Sequence, residues 1–264
     1  LEEASQFFDE HPGGIIIKAL AGGGGRGTRA VTDKKDLAEA YTRCQSEARS
    51  AFGIEDVYVE VFLTNARHIE VQIVGDQTGT VTHLGDRECS AQRRNQKLVE
   101  IAPAPALADG LRQRITNAAI RFAQQEKYQS LGTFEFLVNA DKGAPEFVFI
   151  EANARLQVEH TVTEEVTGVD LVQSQILIAA GQSLSAVGLG QPVTTRGYAI
   201  QARVNMETLK ADGSVLPSSG TLNAYQPPSG PGVRTDGFGY AGYQTSTAFD
   251  SLLAKVIVAS KSAD

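Results

Sequence analysis

The chain has 264 residues, 42% of them hydrophobic, enough to bury a sizeable core in one large or two modest domains. Its net charge of -7 argues against a general nucleic-acid or anionic-membrane surface, and no run approaches the roughly 18 apolar residues that a membrane span needs. Two cysteines, Cys44 and Cys89, lie far apart with no spacing motif, so they offer no disulfide framework and fit a reducing compartment.

In chain order, Leu1, Ala4, Phe7 and Phe8 share one helical face over residues 1 to 11, and His11-Pro12-Gly13-Gly14 ends it. Leu1-Glu2-Glu3 has neither a basic n-region nor an apolar h-region, and an opening without Met inside a helical pattern leads us to expect a cut chain. Ile15 to Leu20 reads as a β-branched strand with Lys18 inside it, an ammonium that must reach a charge or snorkel to water. Gly22, Gly23, Gly24, Gly25, Arg26 and Gly27 follow. Such glycines present backbone N–H groups without side-chain obstruction, as close approach to a polyphosphate requires. A dinucleotide fingerprint would open a helix here, whereas Arg29-Ala30-Val31 reads as extended; a Walker loop would need Lys-Ser or Lys-Thr after Gly27; and no His-Arg-Asp or Asp-Phe-Gly tripeptide of protein kinases is present. A glycine-rich β-hairpin lid remains. A flexible linker is disfavoured by the two arginines and the strand on each side.

Asp33 to Ala51 is an amphipathic helix stopped by Gly53, and Val57 to Leu63 is a strand. Arg67 to Val74 alternates polar and apolar residues strictly, which predicts a half-buried strand; Asp76 to Gly79 turns, and Thr80 to Leu84 returns antiparallel. The chain then enters a loop, Asp86 to Lys97, in which Arg87, Arg93, Arg94 and Lys97 concentrate charge for a small anion, with a solvated loop face as the alternative. His68-x-Glu70 lacks the Pro-Cys-x-x-Cys partner of a zinc deaminase, which sets zinc aside. Pro103 and Pro105 punctuate a loop, and Leu107 to Lys127 has the period of a long surface helix.

Two strands then carry carboxylates: Gly132 to Leu137, with Glu135, and the short buried Phe147 to Ile150, which delivers Glu151 at its end. The turn-like Asn139 to Pro145 joins them. Paired carboxylates must share something positive, and a hard dication such as Mg²⁺ suits them. A hairpin of solvated acids is the competing reading, and the apolar neighbours of both glutamates argue against it. His160 to Val166 reads as a short helix and Asp170 to Ala180 as another, buried on Leu171, Ile176 and Leu177. From Pro192 the chain turns to strands and Pro- and Gly-rich turns, including Gly197 to Asn205 and Leu253 to Ala259, a separate and mostly β unit.

Ile17-Lys18-Ala19, Gly22 to Arg26, Arg67 to Gln72, Arg87 to Lys97, Thr133 to Phe136 and Phe149 to His160, in that order, resemble the biotin carboxylase component of biotin-dependent carboxylases of the acyl-CoA, pyruvate or urea type, in the ATP-grasp superfamily. The resemblance covers nearly the whole chain. It implies an α+β ATP-grasp fold: a lid subdomain over 1–61, a main antiparallel sheet over 62–193, and an incomplete biotin carboxylase C-terminal β domain over 194–264, with the family's N-terminal domain missing. It implies a ligase that carboxylates biotin on a carrier through carboxyphosphate, using ATP, bicarbonate and Mg²⁺ or Mn²⁺. Lys18 and the Gly22 to Gly27 loop resemble the phosphate grip, Glu60 and Leu63 the adenine-contacting segment, and His68 and Gln92 further nucleotide contacts. Glu135 and Glu151, with Asn153 beside them, resemble the metal ligands. Lys97, Arg155 and the Gln157 and Val158 amides resemble the bicarbonate pocket, Glu159 the general base, and Arg203 the arginine that stabilises the ureido oxygen. Asn95 departs, standing where many members carry histidine, so the ribose-side contact is expected to be weaker or differently made. Implied partners are a biotin carboxyl carrier and a carboxyltransferase, in a homo-oligomeric parent protein without nucleic acid or membrane, located in the cytoplasm or, in a eukaryote, the mitochondrial matrix. The alternative is a carboxylase-like module that binds nucleotide without turnover; intact Glu135, Glu151, Arg155, Glu159, Lys97 and Arg203 favour the enzyme.

Overall fold

Ile15 and Ile17 are fully buried on one side of a short strand, β1 (Ile15–Ala19), while Ile16 and Lys18 face the other side, half-buried. In this computed structural model, which describes residues 1–21, 27–93, 95–139, 146–211 and 214–262, the chain divides into two compact units. The first comprises residues 1–66 with 93–96 and 139–146. In it α1 (Glu2–Glu10), through Phe8, and α2 (Leu37–Phe52), through Leu37 and Cys44, close over the two isoleucines and Val31. Strands β2 (Thr28–Val31) and β3 (Val57–Val61) flank β1, both antiparallel to it. α2 stops at Gly53, whose φ of 75° lies in the left-handed region that glycine adopts without steric cost.

The second unit comprises residues 67–92, 97–138 and 147–264 and is organised by an eight-stranded sheet. Its strands, in chain order, are β4 (Ala66–Gly75), β5 (Val81–Arg93), β6 (Gln96–Ala102), β7 (Ser130–Asn139), β8 (Phe147–Asn153) and β9 (Tyr198–Asn205). Short strands β10 (Glu207–Leu209) with β11 (Val215–Pro217), and β12 (Gly220–Thr221) with β14 (Gln244–Thr245), form two separate ribbons. β13 (Val233–Gly237) and β15 (Leu252–Ser260) complete the large sheet, whose order is β13-β15-β9-β6-β5-β4-β7-β8.

Helix α3 (Asp109–Gln125) lays Leu111, Ile115 and Ala119 on Ile69, Val71, Ile73, Phe134 and Phe136, giving one sheet face its apolar core. α5 (Leu171–Ala179) anchors a smaller cluster of Leu171 and Ile178 with Val74, Leu84 and Leu131. α4 (His160–Thr167) packs Val162 and Val166 against Ala102, Ala199 and Ile257. No helix among the described residues is long and apolar enough to cross a membrane.

Five expectations are corrected. The alternating strand β4 is buried on both faces, with Glu70 and Gln72 at 0% exposure, because Thr163 of α4 covers its polar side and bonds Arg87 there. Asp86 to Arg93 is strand rather than loop: β5 continues through it, with Glu70 and Arg87 as cross-strand partners. β8 is the edge strand and half-exposed, not buried, with Phe149 on the outside. On α5 the buried positions are Leu171, Ser174 and Ile178; Ile176 is 64% exposed, because the helix turns the face of Leu171 and Ile178 to Val74, Leu84 and Leu131. Beyond Pro192, β9 pairs with β6, so these strands extend the sheet that carries the two glutamates.

Candidate active site

A polar sheet face lies opposite the α3 side, and register assembles it. Glu135 on β7 is the cross-strand partner of Glu151 on β8, and Thr133 that of Asn153, so all four side chains leave the same face. A register shift follows immediately after Glu135, which ends the regular pairing at the site. The amide of Asn153 links the two acids, its Nδ2 donating to Glu135 Oε1 at 2.9 Å and to Glu151 Oε1 at 3.0 Å. Glu135 Oε1 also accepts from Gln157 Nε2 at 3.1 Å and from Lys97 Nζ at 3.0 Å. Burial would raise the Glu135 pKa, but His68 and Lys97 override it and bring the carboxyl down to about 2.

Lys97 is the hub. Its Nζ contacts Glu70 at 2.6 Å, Glu135 at 3.0 Å and Glu159 at 2.7 Å. Burial opposes its charge, yet the Glu70 and Glu159 carboxylates raise its pKa well above the usual lysine range. Glu70 is in turn ion-paired with Arg87, a guanidinium at 0% exposure that also donates to Gln72, Thr163 and Thr133. Burial works against ionisation of Glu70, and Arg87 and Lys97 keep its pKa lowered all the same.

Glu159, at 2% exposure, precedes α4 and has both oxygens engaged: Oε1 by Lys97 and Oε2 by Arg203 Nη2 at 3.0 Å. Arg203 also donates from Nε to Glu100 Oε1 at 2.7 Å, and Glu100 receives Gln201 Nε2 at 2.8 Å. His68 Nδ1 is 2.9 Å from Gln92 Nε2. Its Nε2 stands 2.6 Å from Glu135 Oε2, off the line that a hydrogen bond needs, and is a buried atom without a hydrogen-bond partner. Gln157 Oε1 is a second such atom. Arg155 is exposed and donates from Nη1 to the Leu156 carbonyl at 3.4 Å; among the described residues it pairs with no carboxylate.

The structure thus brings together Glu135, Glu151, Asn153, Gln157, Lys97, Glu159, Arg203, His68 and Gln92, with Arg155 and Val158 in the segment before α4. The first unit holds Lys18, Glu60, Leu63 and Gly27. There Lys18 is ion-paired with Glu60, the charge its burial called for, and Leu63 is half-buried. Gly27 has φ 67°, and a Cβ there would stand 2.8 Å from that of Ala19. Gly22, Gly23, Gly24, Gly25 and Arg26 lie outside the described residues, as does Arg94. Asn95 also takes a left-handed φ, 64°, one that asparagine tolerates better than most residues.

Within the basic cluster Arg87 to Lys97, Arg87 is fully buried against Glu70, and Lys97 is ion-paired with Glu70, Glu135 and Glu159. Glu70, Glu100 and Gln201 do the neutralising and orienting, and the motif reading assigned them no role. Their signal was a charged or amide residue inside an apolar run, as in Leu98-Val99-Glu100-Ile101-Ala102. The paired carboxylates of Glu135 and Glu151 fit a hard dication, which accepts few protein oxygens and completes its shell with phosphate and water, while Asn153 turns its amide nitrogen to both acids.

The comparisons with known proteins place this sheet and its polar face in the ATP-grasp class, and the chain belongs to the biotin carboxylase family of that class. Residues 1–187 match the carbamoyl-phosphate synthase L chain ATP-binding domain, and residues 201–264 the biotin carboxylase C-terminal domain. Pyruvate carboxylase of Staphylococcus aureus is 47% identical over 260 residues, covering 97% of this chain and 22% of that protein. A biotin carboxylase of Nostoc sp. is 47% identical over 244 residues, covering 92% of this chain and 53% of the relative. The biotin carboxylase domain of Hydrogenobacter thermophilus 2-oxoglutarate carboxylase, solved with MgADP, ADP and bicarbonate, superposes with a TM-score of 0.90 at 42% identity, over 99% of this chain and 56% of that one. The chain therefore spans about a fifth to a half of the relatives it matches.

Proposed function

We propose that the protein carrying this chain is a ligase that carboxylates biotin on a carrier domain from ATP and bicarbonate, through carboxyphosphate, the first half-reaction of a biotin-dependent carboxylase. The observation that carries this reading is Glu159, a buried carboxylate held between Lys97 and Arg203 on the face that holds Glu135 and Glu151. In this reading Arg155, Lys97 and the Gln157 and Val158 amides hold bicarbonate as a planar anion that needs fixed donors. Glu159 takes its proton, freeing a bicarbonate oxygen for in-line attack on the γ-phosphorus as ADP leaves. Lys97 and Arg203 hold the Glu159 carboxylate in place, one on each oxygen. Carboxyphosphate then breaks its bond between the carboxyl carbon and the bridging oxygen, giving CO₂ and phosphate; the released phosphate takes the ring N–H proton of biotin, the nitrogen attacks CO₂, and Arg203 stabilises the negative charge on the ureido oxygen. Glu135, Glu151 and Asn153 would hold Mg²⁺ or Mn²⁺, whose charge shields the phosphate oxygens.

Lys18 and the Gly22 to Gly27 loop are proposed phosphate contacts, Glu60 and Leu63 adenine contacts, and His68 and Gln92 further nucleotide contacts. The subdivision into 1–61, 62–193 and 194–264, the carrier and carboxyltransferase partners, the homo-oligomeric parent and the cytoplasmic or matrix location belong to the same proposal. The location is supported only by the two free, buried cysteines. The test is ATP hydrolysis by the complete protein: it is expected to require bicarbonate and to rise with free biotin, and Glu159→Gln is expected to abolish it while nucleotide binding persists. ATP consumption indifferent to bicarbonate would sink the reading.

A further inference from the structure

A further cation on the same sheet face, beside Arg87, Lys97 and Arg203, has no part in the chemistry above. Lys255 of β15 is the cross-strand partner of Arg203 on β9 and of Asp236 on β13. Like charges directly opposite each other on a sheet repel, and Lys255 is 8% exposed. An apolar residue there would suit the fold better, as Ile257, two residues on and on the same face, illustrates at 0% exposure. The ammonium reaches one backbone atom: Nζ donates to the Val158 carbonyl at 2.8 Å, while Asp236 Oδ2 stands off at 3.7 Å. Arg203 beside it reaches Glu159. Neighbouring cations on neighbouring strands therefore hold successive residues of one loop.

Peptide planarity carries the consequence. The Val158 carbonyl and the Glu159 N–H share one rigid plane, so fixing that oxygen fixes the start of the Glu159 side chain. The preceding plane, which contains the Val158 N–H, is held as well, because His160 Nδ1 is 2.8 Å from the Gln157 carbonyl, an acceptor only, and so must donate to it.

We propose that Lys255 is a positioning residue: by donating to the Val158 carbonyl it sets the loop that aims the Val158 N–H and the Glu159 carboxylate at bicarbonate. This rests on the biotin carboxylase reading. Lys255 touches no substrate and acts through the backbone alone, so its loss selects against one substrate.

The experiment uses the complete protein and Lys255→Met, Lys255→Gln and Lys255→Arg, with bicarbonate-dependent ATP cleavage and thermal unfolding as readouts. Lys255→Met is expected to raise KM for bicarbonate about tenfold or more with KM for ATP within about twofold, the split that separates a positioning effect from general damage. Lys255→Arg, which keeps a charged donor, is expected to recover most of the loss, and Lys255→Gln part of it. Folded variants with unchanged bicarbonate KM, or with both KM values raised together, overturn the proposal. So does failure of all three to fold, since the lysine would then serve only the fold. Wild-type cleavage indifferent to bicarbonate sinks the underlying reading and this inference with it, whereas a normal wild type with indifferent variants sinks this inference alone.

Discussion

Arg87 combines a full charge with complete burial, which only a closed set of partners makes tolerable: Glu70, Gln72, Thr133 and Thr163 each take part of its guanidinium. Removing it as Arg87→Leu leaves Glu70 with Lys97 as its remaining cation, and we expect a loss of about 3 kcal/mol in chemical denaturation. Glu135 tests the electrostatics through pH. Its pKa falls from 4.5 to about 2 on folding, so the native state binds fewer protons than the unfolded one between those values. The carboxylate therefore stabilises fully above pH 4.5, and this contribution fades as pH drops towards 2. The stability advantage of the wild type over Glu135→Gln should be constant near neutrality and shrink through that acid window; an advantage that grows on acidification would contradict the assignment.

Elements are placed by a few close approaches. Where β4 ends, a Cβ on Gly75 would lie 2.0 Å from the Tyr128 carbonyl oxygen just past α3, so strand and helix end meet only through a missing side chain. Gly75→Ala should cost about 2 to 3 kcal/mol, a typical overpacking penalty, read by denaturant midpoint. Gly110, in the first turn of α3, has only the tip of Arg114 near its absent Cβ, at 4.0 Å. Gly110→Ala should stabilise by about 0.5 kcal/mol, since alanine loses less backbone entropy in a helix. If both substitutions moved stability in the same direction, the packing of α3 on the sheet would be misassigned.

In the second unit, helix cover and strand chemistry divide the sheet. α3 covers the apolar face over β4 and β7, and the same face continues uncovered across β6, β9 and β15, with Ile200, Val204 and Val258 all more than 40% exposed. Ile101, Ile200, Val258 and Val233 stand in register across four strands, an apolar row rather than scattered residues. The isolated 264-residue chain should bind a hydrophobic dye such as ANS and self-associate, and Ile200→Lys with Val258→Lys should reduce both. Equal dye binding by the double variant would mean that the row is not the sticky surface. The opposite face, from Glu151 on one edge strand to Asp236 on the other, carries the candidate site and the proposed lysine clamp.

By itself the sequence determined what local pattern can carry. The glycine stop at Gly53, the strands around Lys18, Glu135 and Glu151, and the need of Lys18 for a counter-charge all follow from residues a few positions apart. The family motifs, being contiguous, were legible for the same reason. Tertiary structure alone decided the rest. Asp86 to Arg93 read as a loop because its charges are dense, and it is strand because Glu70 and Thr163, distant in sequence, absorb the charge of Arg87. Glu100, Gln201 and Lys255 carried no motif, and their parts exist only once β6, β9 and β15 lie side by side. Alternation states that a residue faces one side of a strand; which side is then roofed, and by what charge, depends on contacts far along the chain, where no local spacing records it.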